Sequence, residues 1–460
     1  MTPAAAPIRA VVVGTGSRAQ MYTTALARRP GLRVAALCDP NPVRIAHHQR
    51  LLKDAGEPEA AAWAPEEFGA RLRTEGIEEV VVTTVDALHD AYIVPALEAG
   101  CRVVTEKPMT TDAGRCRRIL RTVEATGGEL AVAFNYRFNP VHEEVRRQLA
   151  AGAIGEVLSV HFEWLLDVRH GADYFRRWHR QKYLSGGLMV HKASHHFDLV
   201  NWWLGARPQH VCGYGRLAFY GREAGERTGY RRDYERAHGA DEARGDPFAL
   251  PLTEGDELRS LYLDAEPHDG YVRDRNVFGD GITIEDDMAV LVRYDTGAAM
   301  TYHLTAYSPW EGYRVAFNGT GGRLELEVEE SRWQPPRLPT DSGTGALQGG
   351  TPAAPPGGPR ILLRPLWREP YEVPLPDHDP AGHGGGDERM LTALYGPVHP
   401  AATPRTAADT AAGTDPGDAA ARCATAVDGA LALVTGLAAN ESFSTGARVV
   451  TSDLVPIPQG

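Results

Sequence analysis

Short apolar runs recur along the first third of the chain, each followed by a longer stretch with helical spacing. Residues 8–13, 33–38, 79–84, 102–105 and 130–134 are largely apolar, which predicts strands buried on both faces. Between them, residues 18–29, 43–54, 88–99 and 112–126 place apolar side chains at helical intervals. Strands alternating with helices of this length predict a parallel sheet covered on both sides. This α/β domain is expected to end near Asn139-Pro140, so that residues 1–138 form a dinucleotide-binding unit.

Beyond that point the pattern changes. Residues 141–150 read as a helix, 157–164 as a strand and about 187–204 as a second helix. Residues 288–294, 298–306, 313–318 and 322–329 then read as closely spaced strands, punctuated by Asp295-Thr296-Gly297 and Gly319-Thr320-Gly321. They predict a large, mostly antiparallel sheet in an α+β domain spanning residues 139–460, which would hold substrate and oligomer contacts. Residues 213–281, rich in Tyr, Arg, Asp and Glu, read as an insertion lying over a cleft. The Pro/Gly-dense stretch 333–360 and the stretch 400–418 are expected to be loose surface loops, the latter leading into an Ala-rich helix over about 419–439.

Composition narrows the setting. With 43% apolar and 23% charged residues among 460, the chain reads as an ordinary globular protein of two or three domains. Its net charge of −12 argues against a nucleic-acid partner. Five scattered cysteines, without a CxxC pair, fit a reduced compartment. No apolar run approaches the roughly 20 residues that span a bilayer, and no signal-peptide pattern opens the chain. The expectation is a cytoplasmic protein without membrane or nucleic-acid partners.

The first candidate site is Gly14-Thr15-Gly16-Ser17-Arg18-Ala19, between a strand and a helix. Gly14 permits the tight turn, Gly16 lets the backbone approach a pyrophosphate, and small Ala19 allows close helix–strand packing. The helix N-terminus offers free N–H groups to the anion. The second predicted strand ends in Asp39, placed to accept hydrogen bonds from ribose hydroxyls and to repel a 2′-phosphate, which favours NAD over NADP. Arg44 lies close enough to receive such a phosphate, and Asp39 could instead cap structure before Pro40.

The second is Glu106-Lys107-Pro108, just past a strand end, where ligands of such sheets bind. Burial and nearby positive charge would let Lys107 exchange protons. The third lies in the predicted helix 187–204, where His191, His195 and Asp198 follow at i, i+4 and i+7 and would share a face towards a cavity. Nothing else in the chain has matching metal-ligand spacing, so no metal is expected.

With these residues in order, the chain resembles the Gfo/Idh/MocA family, the glucose–fructose oxidoreductase and inositol dehydrogenase group. The matching features are Gly14-x-Gly16-x-x-Ala19, Asp39, His89, Glu106-Lys107-Pro108, Asn135-Tyr136-Arg137, Gly186-Gly187, and His195 with Asp198. The resemblance implies a Rossmann domain followed by an open-faced antiparallel sheet domain, often assembled into dimers or tetramers through that sheet. It implies a cofactor site that includes His89, Glu106 and Lys107, with Lys107 and His195 in acid–base roles. Family members commonly carry aspartate four residues before this histidine, and here the position is His191; unlike an aspartate, a histidine can itself titrate near neutrality.

The expected activity is therefore NAD-dependent oxidation of a secondary hydroxyl on a sugar, glycoside or cyclitol. Lys107, His195 and His191 are the candidate catalytic residues. Arg137, Tyr174, Arg176, Trp178, His179, His191 and His195 are candidates for holding the ring hydroxyls. Tyr271, Arg273 and Asp274 would either close over the sugar or belong to a solvated loop. The alternative chemistry is glycoside cleavage by transient ring oxidation and elimination with NAD retained. A dinucleotide-responsive regulator on the same fold is a third reading.

Overall fold

The computed structural model describes residues 6–333, 358–375, 384–396 and 422–458. Its first sheet is built from β1 (Ile8–Val13), β2 (Leu32–Cys38), β3 (Ala61–Trp63), β4 (Glu79–Val82), β5 (Arg102–Thr105) and β6 (Leu130–Val132). These six strands run parallel in the order β6-β5-β4-β1-β2-β3. Val11, Val12 and Val13, Val80, Val81 and Val82, and Val103 and Val104 are fully buried, because helices cover both faces of the sheet. Those helices are Ala19–Ala27, Pro42–Asp54, His89–Glu98 and Ala113–Thr126. Asn41 caps the second with its side-chain oxygen and Asp112 caps the fourth, the chemistry expected at helix starts. Strand β3 and the helix Phe68–Thr74 were not legible in the sequence pattern; three residues carry too little periodicity.

The second sheet contains β7 (Val157–Asp167), β8 (Pro208–Arg216), β9 (Asp287–Tyr294), β10 (Ala299–Ser308), β11 (Glu311–Gly319), β12 (Gly322–Ser331), β13 (Arg360–Pro365), β14 (Tyr371–Glu372) and a final strand, Val449–Val450. Every pairing is antiparallel except β7 with β10. Along β9 and β10 burial alternates residue by residue, so one face packs against helices and the other is open. The open face carries His161, Glu163, Leu291, Thr301, His303 and Arg314, with a depression of about 690 Å³.

Four expectations change. The predicted helix over 187–204 is two pieces, Leu188–His191 and Ser194–Leu204, separated at Lys192-Ala193. Strand β8 takes residues 213–216 out of the predicted insertion. β7 runs on to Asp167, whose carboxylate caps a helix, Val168–Arg176, that the pattern did not reveal. The Ala-rich helix begins at Ala426, where Thr425 and Asp428 form a reciprocal cap, and runs to Thr445. Just before it, Ala424–Thr425 adds an antiparallel strand to the edge of the first sheet beside β6. The two predicted loose loops fall largely on residues 334–357 and 397–421, outside the described residues.

The insertion has a small core of its own, Leu250, Leu252, Leu258, Leu261 and Tyr262. Among the described residues, no helix is long and apolar enough to cross a membrane.

Candidate active site

At the carboxyl end of β1 the chain turns at Gly14, whose φ is +82°. A Cβ there would meet the Thr84 backbone at 2.8 Å, so both conformation and space demand glycine. Gly16 is different: a Cβ there would meet nothing within 4 Å, leaving backbone facing open space. Thr15 Oγ1 is buried without a hydrogen-bond partner, and the following helix, Ala19–Ala27, starts without a side-chain cap. Such a turn, with open backbone at Gly16 and an uncapped helix start, fits a dinucleotide pyrophosphate.

Asp39, at the end of β2, accepts from the Thr15 N–H at 2.7 Å and the Asn41 N–H at 2.8 Å. Burial pushes its carboxyl upward, and those two amides pull it back. It therefore pins the glycine turn to the rim where a ribose would lie.

The insertion lands on that same rim. Glu257 accepts from Ser17 Oγ at 3.1 Å and from Gln20 Nε2 at 2.7 Å. Asp269 accepts from Asn41 Nδ2 at 2.9 Å and Arg44 Nη1 at 2.5 Å, while Arg44 Nε donates to the Leu261 carbonyl.

Arg18, Glu106 and His89 shape the floor of the crevice. Glu106 accepts from Arg18 Nε at 2.6 Å, from the Tyr22 hydroxyl at 3.0 Å and from the Lys107 N–H at 3.2 Å. Arg18 also reaches Asp387 at 2.9 Å. His89 is fully buried, with Nδ1 at 2.9 Å from the Pro108 carbonyl and Nε2 at 3.2 Å from that of Thr84, so it staples the loops after β4 and β5.

Lys107 follows β5 and its ammonium meets His191. Nζ lies 3.2 Å from His191 Nε2 and 3.1 Å from the His191 carbonyl. That carbonyl is available because the helix breaks at Lys192-Ala193 and the His195 N–H turns to the Lys192 carbonyl instead. On its other side, His191 Nδ1 lies 2.5 Å from Asp86 Oδ2. Burial pulls Lys107 down to about 8, opposed by the negative charges of Asp86 and Glu106. Burial also holds His191 well below its usual range, helped by the positive charges of Lys107 and Arg177. Burial pushes the Asp86 carboxyl well above its usual range, opposed by the positive charges of Lys107 and Arg177; as a carboxylate it would keep the imidazole proton on Nδ1 and leave the Nε2 lone pair facing Lys107.

Around this triad the aromatic residues close in. His179 stacks on Trp178 with 3.5 Å between ring centroids and meets His191 edge-on at 4.0 Å. Tyr174 also meets His191 edge-on, at 5.6 Å, and its hydroxyl lies 3.2 Å from His170 Nε2. Asp86, His179 and His191 bring one ligand atom each within 4.8 Å of one another, a grouping absent from the sequence reading. Lys107 and Arg177 beside it oppose a dication, and the close contacts form a hydrogen-bond relay.

The residues expected on one face meet different partners. His195 lies flat against Tyr136 at 4.4 Å and edge-on to Phe134 at 5.8 Å, and His191 lies beside Lys107. Asp198 is held by Arg137 through bonds of 2.8 and 2.6 Å. Arg137 also reaches Asp428 at 3.1 Å, so this expected ring-hydroxyl ligand is buried in an ion-pair network. Arg176 likewise faces inward, donating from Nε to the Phe248 carbonyl at 2.9 Å. Arg273 and Asp274 are each 1% exposed and so are not part of a solvated loop.

Sequence reasoning missed Asp86 and Arg177. Asp86 had a usable signal, a carboxylate four residues past the end of a central parallel strand, where ligands bind. Arg177 had none, since its helix was not recognised.

Residues 8–134 match a family model described as "Oxidoreductase family, NAD-binding Rossmann fold", and residues 146–347 match "Oxidoreductase family, C-terminal alpha/beta domain". The chain belongs to the Gfo/Idh/MocA oxidoreductase family. A Bacillus subtilis (strain 168) protein, YteT, is 33% identical over 398 residues, covering 84% of this chain and 88% of its own. The inositol 2-dehydrogenase of Rhizobium meliloti (strain 1021) is 29% identical over 211 residues, covering 44% of this chain and 57% of its own. The fold is shared with the WlbA dehydrogenase of Bordetella pertussis, solved with NADH and UDP-GlcNAcA, at 16% identity and a TM-score of 0.58, covering 99% of this chain and 100% of that one. This family member is thus an oxidoreductase with an NAD-binding Rossmann domain and a sheet domain behind its cleft.

Proposed function

We propose that this oxidoreductase removes hydride and a proton from a secondary hydroxyl of a sugar, glycoside or cyclitol, using NAD. The observation that carries the reading is the Asp86–His191–Lys107 relay, which lies past the strand ends of a sheet whose glycine turn fits a dinucleotide. Bound NAD would supply the hydride acceptor; the turn at residues 14–19 would hold its pyrophosphate and Asp39 its ribose.

Neutral Lys107 receives the hydroxyl proton, and His191 Nε2 provides the adjoining acceptor through which it can pass on. Asp86 fixes the tautomer and orientation of that imidazole, the role of a buried carboxylate behind a catalytic histidine. His195, buried on Tyr136, is the second general-base candidate. Aromatic and polar groups of Trp178, His179 and Tyr174 surround His191 and suit a ring with hydroxyls. The relatives named inositol 2-dehydrogenase support a cyclitol or sugar.

The choice of NAD over NADP rests on the negative charge of Asp39 and on Asp269, which holds the nearby cation Arg44. The bare face of the second sheet suits a homodimer or homotetramer in a cytoplasmic enzyme. A panel of cyclitols, aldoses and glycosides assayed for NADH formation tests the reading. Glycoside cleavage with no net NADH would replace it with elimination chemistry.

A further inference from the structure

One buried cluster beside the relay holds more positive charge than it can neutralise. Asp173 is fully buried on the helix Val168–Arg176 and pairs with three arginines: Arg273 at 2.7 Å, Arg177 at 3.2 Å and Arg176 at 3.5 Å. Among the described residues these arginines form no other ion pair. Arg273 is 1% exposed, yet its Nε and Nη1 have no hydrogen-bond partner.

Arg177 is the most exposed of the three, with 18% of its side chain open. Its guanidinium lies over the Tyr174 ring at 5.4 Å, and Tyr174 in turn meets His191. The contact of Arg177 with Asp173 is an ion pair through Nε without hydrogen-bond alignment, so its terminal fork is uncommitted. Lys107 lies on the other side of His191. Around the reacting centre, Lys107, Arg176, Arg177 and Arg273 therefore outnumber the carboxylates Asp86, Asp173 and Glu106, the last of which also holds Arg18. Charge buried this way is costly unless an anion arrives to pair with it. A planar guanidinium fork beside the relay matches a carboxylate in two-point contact.

We propose that the substrate is an acidic sugar, and that Arg177, backed by Arg176 and Arg273 around Asp173, receives its carboxylate. The inference rests on reading this cleft as the sugar-oxidising site, and it deepens that reading by naming a substrate class.

Calorimetric titration of the NAD-loaded enzyme compares D-glucuronate and D-galacturonate with D-glucose, D-galactose and glucose 6-phosphate. The uronates should bind at least about 10-fold more tightly than their neutral counterparts, with the advantage shrinking at high salt. Arg177→Gln should erase the advantage and Arg177→Lys keep part of it, with melting temperatures showing that both variants fold. Equal or tighter binding of the neutral sugars, tighter binding of the phosphate ester, or no uronate binding overturns the proposal. Uronate binding without NAD reduction leaves it standing and refutes the hydride-transfer reading; NAD reduction by neutral sugars alone does the opposite.

Discussion

Replacing Asp269 with alanine should loosen the preference for NAD. Asp269 comes from the insertion, and its carboxylate holds Arg44 at 2.5 Å and Asn41 at 2.9 Å, both just past Asp39. A 2′-phosphate bound beside Asp39 would carry nearly two negative charges. At a separation of about 6 Å, each charge would meet Asp269 with roughly 0.7 kcal/mol of repulsion in water and about 3 kcal/mol at the lower effective dielectric of a protein surface. Asp269 is partly buried, with 18% of its side chain exposed, which places the total near 1.5–3 kcal/mol for the phosphate, on the order of 10- to 100-fold in affinity. The substitution also frees Arg44 to meet the phosphate. Asp39 remains, so the preference should narrow without reversing. The assay is the dissociation constant of NADP⁺ and NAD⁺ for wild type and Asp269→Ala, by titration calorimetry at low and high salt. NADP⁺ should gain about 10- to 100-fold, less at high salt, with NAD⁺ changed by less than about 3-fold. An unchanged NADP⁺ constant in a folded variant refutes the reasoning. Equal weakening of both cofactors would make Asp269 only an anchor for the insertion. A wild type that binds both equally would refute the NAD preference itself.

Other outcomes follow from the same geometry. Lys107 accepts a proton only when neutral, so kcat/KM for oxidation should rise about tenfold per pH unit and level off above about pH 8. Asp86→Asn removes a negative charge that raises Lys107, so this limb should move to lower pH, while loss of the His191 anchor lowers kcat by about 10- to 1,000-fold. Arg137→Ala leaves Asp198 buried without its partner and should cost about 3–5 kcal/mol in urea unfolding, whereas a surface pair such as Arg147–Glu144 should cost under about 1 kcal/mol. Gly14→Ala should lower the melting temperature because its Cβ would strike the Thr84 backbone. Gly16→Val should leave the melting temperature unchanged and abolish dinucleotide binding, as measured by fluorescence quenching.

The sequence by itself determined the elements whose signal is local. The parallel sheet was readable because strands buried on both faces need near-continuous apolar runs, and β1, β4 and β5 supply them. Strands β9 to β12 were readable from their close spacing and the turns at Asp295-Thr296-Gly297 and Gly319-Thr320-Gly321, and the cofactor turn from Gly14 and Gly16 beside a strand end. Lys107 was readable because it follows a central strand whose carboxyl end must face the ligand.

What only the tertiary structure decided are contacts between distant segments. Spacing aligned His191, His195 and Asp198 on one helix face, yet the helix breaks between them, and the freed His191 carbonyl is met by Lys107, 84 residues earlier. Asp198 found Arg137, and Asp86 found His191, across separations of 61 and 105 residues. The cluster of arginines around Asp173 joins a helix to the insertion across 100 residues. Periodicity reports which side of an element is buried, but not which element it is buried against. The identity of a buried charge's partner is therefore written in the fold alone.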